Sequence, residues 1–181
     1  MSLQAESELL RSVRDIVTDT LAVDEDRVTI ELDEEVPAIA SDLHVIVSPG
    51  GVTPGPRHNH SGGTIDLHVA VRVTVFRRIT SVPRDRRRNA FLDRLKGINA
   101  DLDTIMDVLD FKYTAENNAN TEMELESGCG FVEPLRVISF DPRPIPVFKE
   151  NYAAASGTGG DPILALKRGI TFGLARYLMR R

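Results

Sequence analysis

Four histidines, a cluster of arginines, one cysteine and a glycine-rich stretch are the parts of this 181-residue chain whose types and spacing could do chemistry. His58 and His60, beside Arg57, form a His-Asn-His pair. Two imidazoles two positions apart can grip a metal from an extended backbone. No cysteine accompanies them, and no Asp or Glu lies in the same loop to complete a shell, so no metal is expected. His44 and His68 stand on either side of that loop, each among apolar residues. They could face each other across a hairpin as a polar cross-strand pair. Arg84, Arg86, Arg87 and Arg88, with Asp85, are the densest basic cluster. Phosphate could bind such a run. No aromatic side chain is interleaved to stack a base, so an exposed approach to a helix or a protein interface is the expected use. Cys129 lies between Gly128 and Gly130 with Glu126 nearby, a setting that favours thiol over thiolate. Gly157-Thr158-Gly159-Gly160 is shaped like a phosphate loop but lacks the lysine that reaches phosphate. No Ser-His-Asp order and no paired carboxylates stand out. The sequence therefore assigns no catalytic residue, no cofactor and no metal.

These residues sit on elements that the apolar spacing defines. Ile65, Leu67, Val69, Val71, Val73 and Val75 alternate with Asp66, His68, Arg72 and Thr74, which predicts a long strand over 64–77 with one buried face and one wet face. Its odd-numbered residues should anchor a sheet, and its even-numbered ones should face outward. Leu43, Val45 and Val47 predict a strand over 42–48. Residues 48–63 carry three prolines and five glycines and read as a long loop, so the two strands form an extended hairpin. Leu9, Leu10, Val13, Ile16, Val17 and Leu21 make a helical stripe over 7–21, with Ser7 as its N-cap. Phe91, Leu95, Ile98, Leu102, Ile105 and Leu109 make a second stripe over 86–109. Val28 and Ile30 suggest a short strand. Residues 114–130 read as a polar excursion, and 131–140 as a further strand that Pro142, Pro144 and Pro146 bring to an end. Residues 149–160 read as a link. Asp161 and Pro162 open a final helix over 161–180, with Gly169 and Gly173 leaving Ile170-Thr171-Phe172 able to be extended instead. The expected fold is α+β: a mixed, mainly antiparallel sheet with a long hairpin, flanked by an N-terminal helix and a central amphipathic helix. The expected division is a domain over 1–148 and a linker with a basic helix or extension over 149–181.

The net charge of −5 conceals segregation. Residues 1–42 carry −9, residues 57–96 carry +7, residues 97–160 carry −7 and residues 161–181 carry +4. Blocks of opposite sign either pair within one fold or bring an acidic face of one copy to a basic face of the next. No stretch has the roughly 18 apolar residues of a membrane span. No basic region followed by an apolar run opens the chain, and one cysteine permits no internal disulfide. Cytoplasmic folding is expected.

The order of helix, short strand, acidic stretch with a proline, strand, long loop, long strand, helix, polar excursion and strand resembles the tail terminator proteins of long-tailed phages. The segments that carry the resemblance are Glu31-Leu32-Asp33-Glu34-Glu35-Val36-Pro37-Ala38-Ile39, Leu43–Val47, Thr64–Phe76 and the helix with Phe91, Leu95 and Ile98. It covers about residues 7–140. The resemblance implies a structural, non-enzymatic virion protein that assembles in the host cytoplasm. It implies a homo-oligomeric ring, typically of six, with a tail tube protein and a head-completion protein as partners. Neither a membrane nor a nucleic acid is an expected partner. Residues expected at a subunit or tube interface are Arg57, His58, His60, Asp66, His68, Arg72, Arg84, Arg86, Arg87, Arg88, Arg176 and Arg180. Two other classes stay open. One is a small-molecule or metal-binding enzyme built on the His-bearing hairpin; the other is a nucleic-acid module using Arg84–Arg88.

Overall fold

A computed structural model describes residues 2–32, 42–54, 64–79, 87–110, 131–133, 135–148 and 163–180. The fold is α+β, as the sequence leads one to expect: the described residues form two α-helices and a mixed, mainly antiparallel sheet. In chain order the elements are α1 (Ser2–Leu21), β1 (Val28–Ile30), β2 (Leu43–Pro54), β3 (Thr64–Arg78), α2 (Arg87–Leu109), β4 (Phe131–Glu133), β5 (Arg136–Phe140), β6 (Ile145–Phe148) and β7 (Ile163–Arg180). The sheet runs β1-β2-β3-β7, with β4, β5 and β6 following one another along the far side of β7. Among the described strands only the β1–β2 pair is parallel.

Both helices lie on one face of the sheet. Leu9, Leu10, Val13 and Val17 of α1 and Ile98, Leu102, Ile105 and Leu109 of α2 share a core with Val45, Val47, Val69, Val71, Val73 and Val75. Each such side chain contributes about 1.5–3 kcal/mol when taken fully out of water. A charge at Val13, which is wholly buried, would break the α1 contact. Helix α1 begins five residues earlier than expected, so Ser7 lies inside it and is no N-cap. It ends where Ala22 adopts φ +49°, with Val23 N–H donating to Thr18 O and Ala22 N–H to Asp19 O, a Schellman ending. The α2 stripe leaves the core at its N-terminal end, where Phe91 and Leu92 are exposed.

Strand β2 is longer than its composition suggests. It continues through Pro49, Gly50 and Gly51 to Pro54, paired with β3 throughout. The reading of residues 48–54 as loop is therefore corrected. A bulge between Pro49 and Gly51 absorbs the irregular residues. Gly51 takes φ +108°, and a Cβ on Gly50 would stand 2.8 Å from Ala70. The pairing of β3 with β7 shifts at the same level, between Val69 and Val71. Both neighbours of β3 thus carry an irregularity opposite Ala70, while β3 itself passes through unbroken.

The helix expected over 161–180 is a strand, and residues 163–180 belong to the main sheet rather than to an appendage. The apolar spacing of Ile163, Leu166, Ile170 and Leu174 imitates a helix by coincidence. In β7 adjacent residues are buried on opposite faces, Ala165 on one and Leu166 on the other, so the period-two signal disappears. The prolines after 141 do not end the sheet either. Residues Asp141–Pro144 kink out of line, and β6 resumes the pairing with Ile145 opposite Lys167.

Candidate functional site

The face of the sheet away from the helices carries the polar residues that sequence reasoning singled out on β3. Alternation along β3 puts Arg72, Thr74 and Phe76 there, opposite Ser48, Ile46 and His44 of β2. This face was expected to be open and is largely closed. Thr74 and Phe76 are wholly buried, and Phe76 joins a second apolar cluster with Ile46, Val147 and Ala165. His68 is half-buried.

Arg72 is committed within the fold. Its Nη2 donates to both carboxylate oxygens of Asp141, at 2.8 and 2.9 Å, and Nη1 lies 3.4 Å from Thr171 Oγ1. The Gly169 N–H donates to Asp141 Oδ2 at 2.7 Å, and the Asp141 N–H donates to Gly169 O at 3.0 Å. A side chain at Gly169 would meet the guanidinium, since a Cβ there would lie 2.6 Å from Arg72 Nη2. The kink after Phe140 is therefore held by one carboxylate that ties β3, β7 and the edge segment together. Arg168 adds a link to the helix layer, donating to Asp141 O at 3.2 Å and to Asn99 Oδ1 at 2.7 Å.

A second arginine crosses to the helix face. Arg77 Nε and Nη2 donate to the two oxygens of Asp101 on α2, both at 2.8 Å. Its guanidinium lies over Gly97, where a Cβ would sit at 3.5 Å from Nε. Burial pushes the Asp101 carboxyl above its ordinary 3.8, and the bonds and charge of Arg77 oppose that rise.

His44 takes part in a short chain. Thr29 Oγ1 donates to Glu31 Oε1 at 2.9 Å and lies 3.1 Å from His44 Nε2. A hydroxyl has one proton, so with that proton given to Glu31 the imidazole Nε2–H must be the donor to Thr29. Burial holds His44 below its ordinary 6.5, with Glu31 and then Asp26 acting the other way. His44 pairs with Phe76 and His68 with Thr53. The two imidazoles are eight β3 residues apart, about 26 Å at strand rise, so they do not face each other and cannot share a site.

Of the other residues expected at an interface, Arg57, His58, His60, Arg84 and Arg86 lie outside the described residues. Asp66 is on β3 opposite Leu178. Arg87 and Arg88 open α2, and Arg176 and Arg180 lie on β7, opposite His68 and Thr64. The structure thus brings His68 and Arg176 to one level of the sheet, and leaves Arg72 inside it. Cys129 and Gly157–Gly160 also lie outside the described residues. Among the described residues no group of three or more His, Cys, Asp or Glu could hold a metal, and no helix is long and apolar enough to cross a membrane. Sequence reasoning missed Asp141 and the Thr29–Glu31 pair. The signal for Asp141 was an acid at the junction of a strand with a Pro-x-Pro run, where a kinked backbone needs a partner for its freed N–H groups. A scan against protein-family models and a search of curated proteins both find no match to this chain.

Proposed function

We propose that the protein is a structural virion assembly protein, a ring-forming tail terminator or head–tail joining protein, rather than an enzyme. The observation that carries the reading is the order and length of the elements. A helix and a short strand precede two long antiparallel strands, and the helix that follows packs across them. This is the arrangement on which the resemblance to tail terminators rests. The segregated charge supports it, because a ring is built from unlike faces meeting head to tail. In this role the protein assembles in the host cytoplasm, closes the end of a tail tube as a ring of about six by the family resemblance, and meets a head-completion protein in the virion. The residues proposed to meet the tube or a neighbouring subunit are Arg57, His58, His60, Asp66, His68, Arg84, Arg86, Arg87, Arg88, Arg176 and Arg180, while Arg72 is engaged by Asp141. Native mass measurement at low salt tests it, together with electron microscopy of tail tubes mixed with the protein. Ring-sized species and density on tube ends are expected. A single chain at every concentration, with bare tube ends, would rule the reading out.

A further inference from the structure

The two outer edges of the sheet differ in chemistry, and they lie on opposite sides of the molecule. One edge is β1. Beside it Ile30 is 37% exposed and Leu32 is 85% exposed. Asp24, Glu25 and Asp26 are exposed just before it, and Glu31 follows it. Thr29 Oγ1 donates to Glu31 Oε1 at 2.9 Å, which holds that carboxylate beside β1. Among the described residues the cation here is Arg27, which lies 3.6 Å from Asp24.

The other edge is β5 and β6. Ile138 is 53% exposed, Phe140 50% and Ile145 40%. Among the described residues Arg136 and Arg143 take part in no ion pair, and Asp141 is engaged by Arg72. Open edges are normally guarded by charges, prolines or short length. Pro144 and Pro146 guard β6 in this way. β5 is guarded by Arg136 and by a bulge between Val137 and Ser139, yet it turns two large apolar side chains to solvent. The two edges stand four strand spacings apart, about 19 Å.

We infer that these edges bind each other between copies of this chain: the acidic β1 edge of one copy receives the basic, apolar β5–β6 edge of the next. The occupant is a second copy because the two surfaces complement each other in both respects, apolar against apolar and acidic against basic. A contact between two different patches on opposite sides is heterologous, and repetition closes a ring when the rotation per copy permits. Side chains make this contact, since β1 has only three residues and β6 has few N–H donors to offer. The inference rests on the ring reading above and names its interface.

Two variants separate the edges. Ile30→Asp with Leu32→Asp blocks only the β1 edge, and Ile138→Asp with Phe140→Asp blocks only the β5–β6 edge. Each variant alone is expected to fall to the mass of a single 20.0 kDa chain. Mixed in equal amounts, they are expected to form a species of two chains and nothing larger, because one good edge of each kind remains. Thermal unfolding of each variant checks that it is folded. As a milder pair, Asp26→Arg and Arg143→Glu should each weaken assembly, and the two mixed together should restore part of it. Wild-type rings with both blocked variants still assembling fully would overturn the edge assignment and leave the ring reading standing. Dimers formed by either blocked variant alone would overturn it in favour of a symmetric contact. A monomeric wild type would overturn both.

Discussion

Two arginines of the same strand, five residues apart, each lie over a glycine and reach an aspartate, but on opposite faces of the sheet. Arg77 passes over Gly97 to Asp101 on the helix side, and Arg72 passes over Gly169 to Asp141 on the other. The first crossing has slack. A Cβ on Gly97 would stand 3.5 Å from the guanidinium, an ordinary contact. The second has none, because a Cβ on Gly169 would stand 2.6 Å from the guanidinium and 3.1 Å from Thr74 Oγ1. The same three residue types therefore serve different ends. Arg77–Asp101 pins a helix whose position the apolar core already sets. Arg72–Asp141 fixes the course of a backbone that Pro142 and Pro144 would otherwise leave without a path back to the sheet.

The comparison is broken most directly at the aspartates. Asp141→Ala removes the acceptor of three bonds at a site that is mostly buried, and should lower unfolding stability by about 2–4 kcal/mol. Gly169→Ala should cost about 1–3 kcal/mol by forcing the clamped guanidinium aside. Asp101→Ala should cost less, about 1–2 kcal/mol, since Asp101 accepts two bonds where Asp141 accepts three. Urea unfolding at one fixed protein concentration measures all three. Equal costs at Asp141 and Asp101 would show that the two crossings are equivalent.

A fourth test uses protons. His44 lies on the same face as Arg72, with its folded affinity for a proton lowered by burial. The unfolded chain takes up that proton more readily, so the stability linked to His44 is present above about pH 6.5 and falls as the solution is acidified through and below that value. Glu31 and Asp26 moderate the fall. His44→Gln should flatten the midpoint of thermal unfolding between pH 8 and pH 5.5, and an unchanged slope would remove His44 from the account. The smallest effect is expected at the slack crossing. Gly97→Ala should raise stability by roughly 0.5–1 kcal/mol, the ordinary gain of alanine over glycine in a helix. The contrast with Gly169→Ala is in sign as well as size.

The sequence was most legible where one face of an element is wet. The stripes of α1 and α2 mark their elements correctly because burial on one side leaves a periodic record, and β3 is marked by its alternation of apolar with polar types although both its faces are largely covered. β7 leaves none. Ala165 and Leu166 are adjacent and both buried, and Gly169 and Gly173 are glycines because Arg72 and Ile138 cross above them, not because a helix is weakened there. The wet face assigned to β3 failed for a related reason. Thr74 and Arg72 look solvent-facing by type, yet Thr74 is wholly buried and Asp141 engages Arg72. Local spacing cannot report a cover that comes from 69 residues away.

The level of Ala70 has a mechanical meaning. There β2 and β7 each carry one extra residue against β3, so both ladders shift register beside the same residue. Bulges on both flanks of one strand bend those flanks and raise the local twist. Beyond that level Val52–Pro54, Thr64–Val69 and Ala175–Arg180 continue the pairing, with β4 alongside β7. Altering either bulge would re-aim that end of the sheet relative to the part that carries the helices.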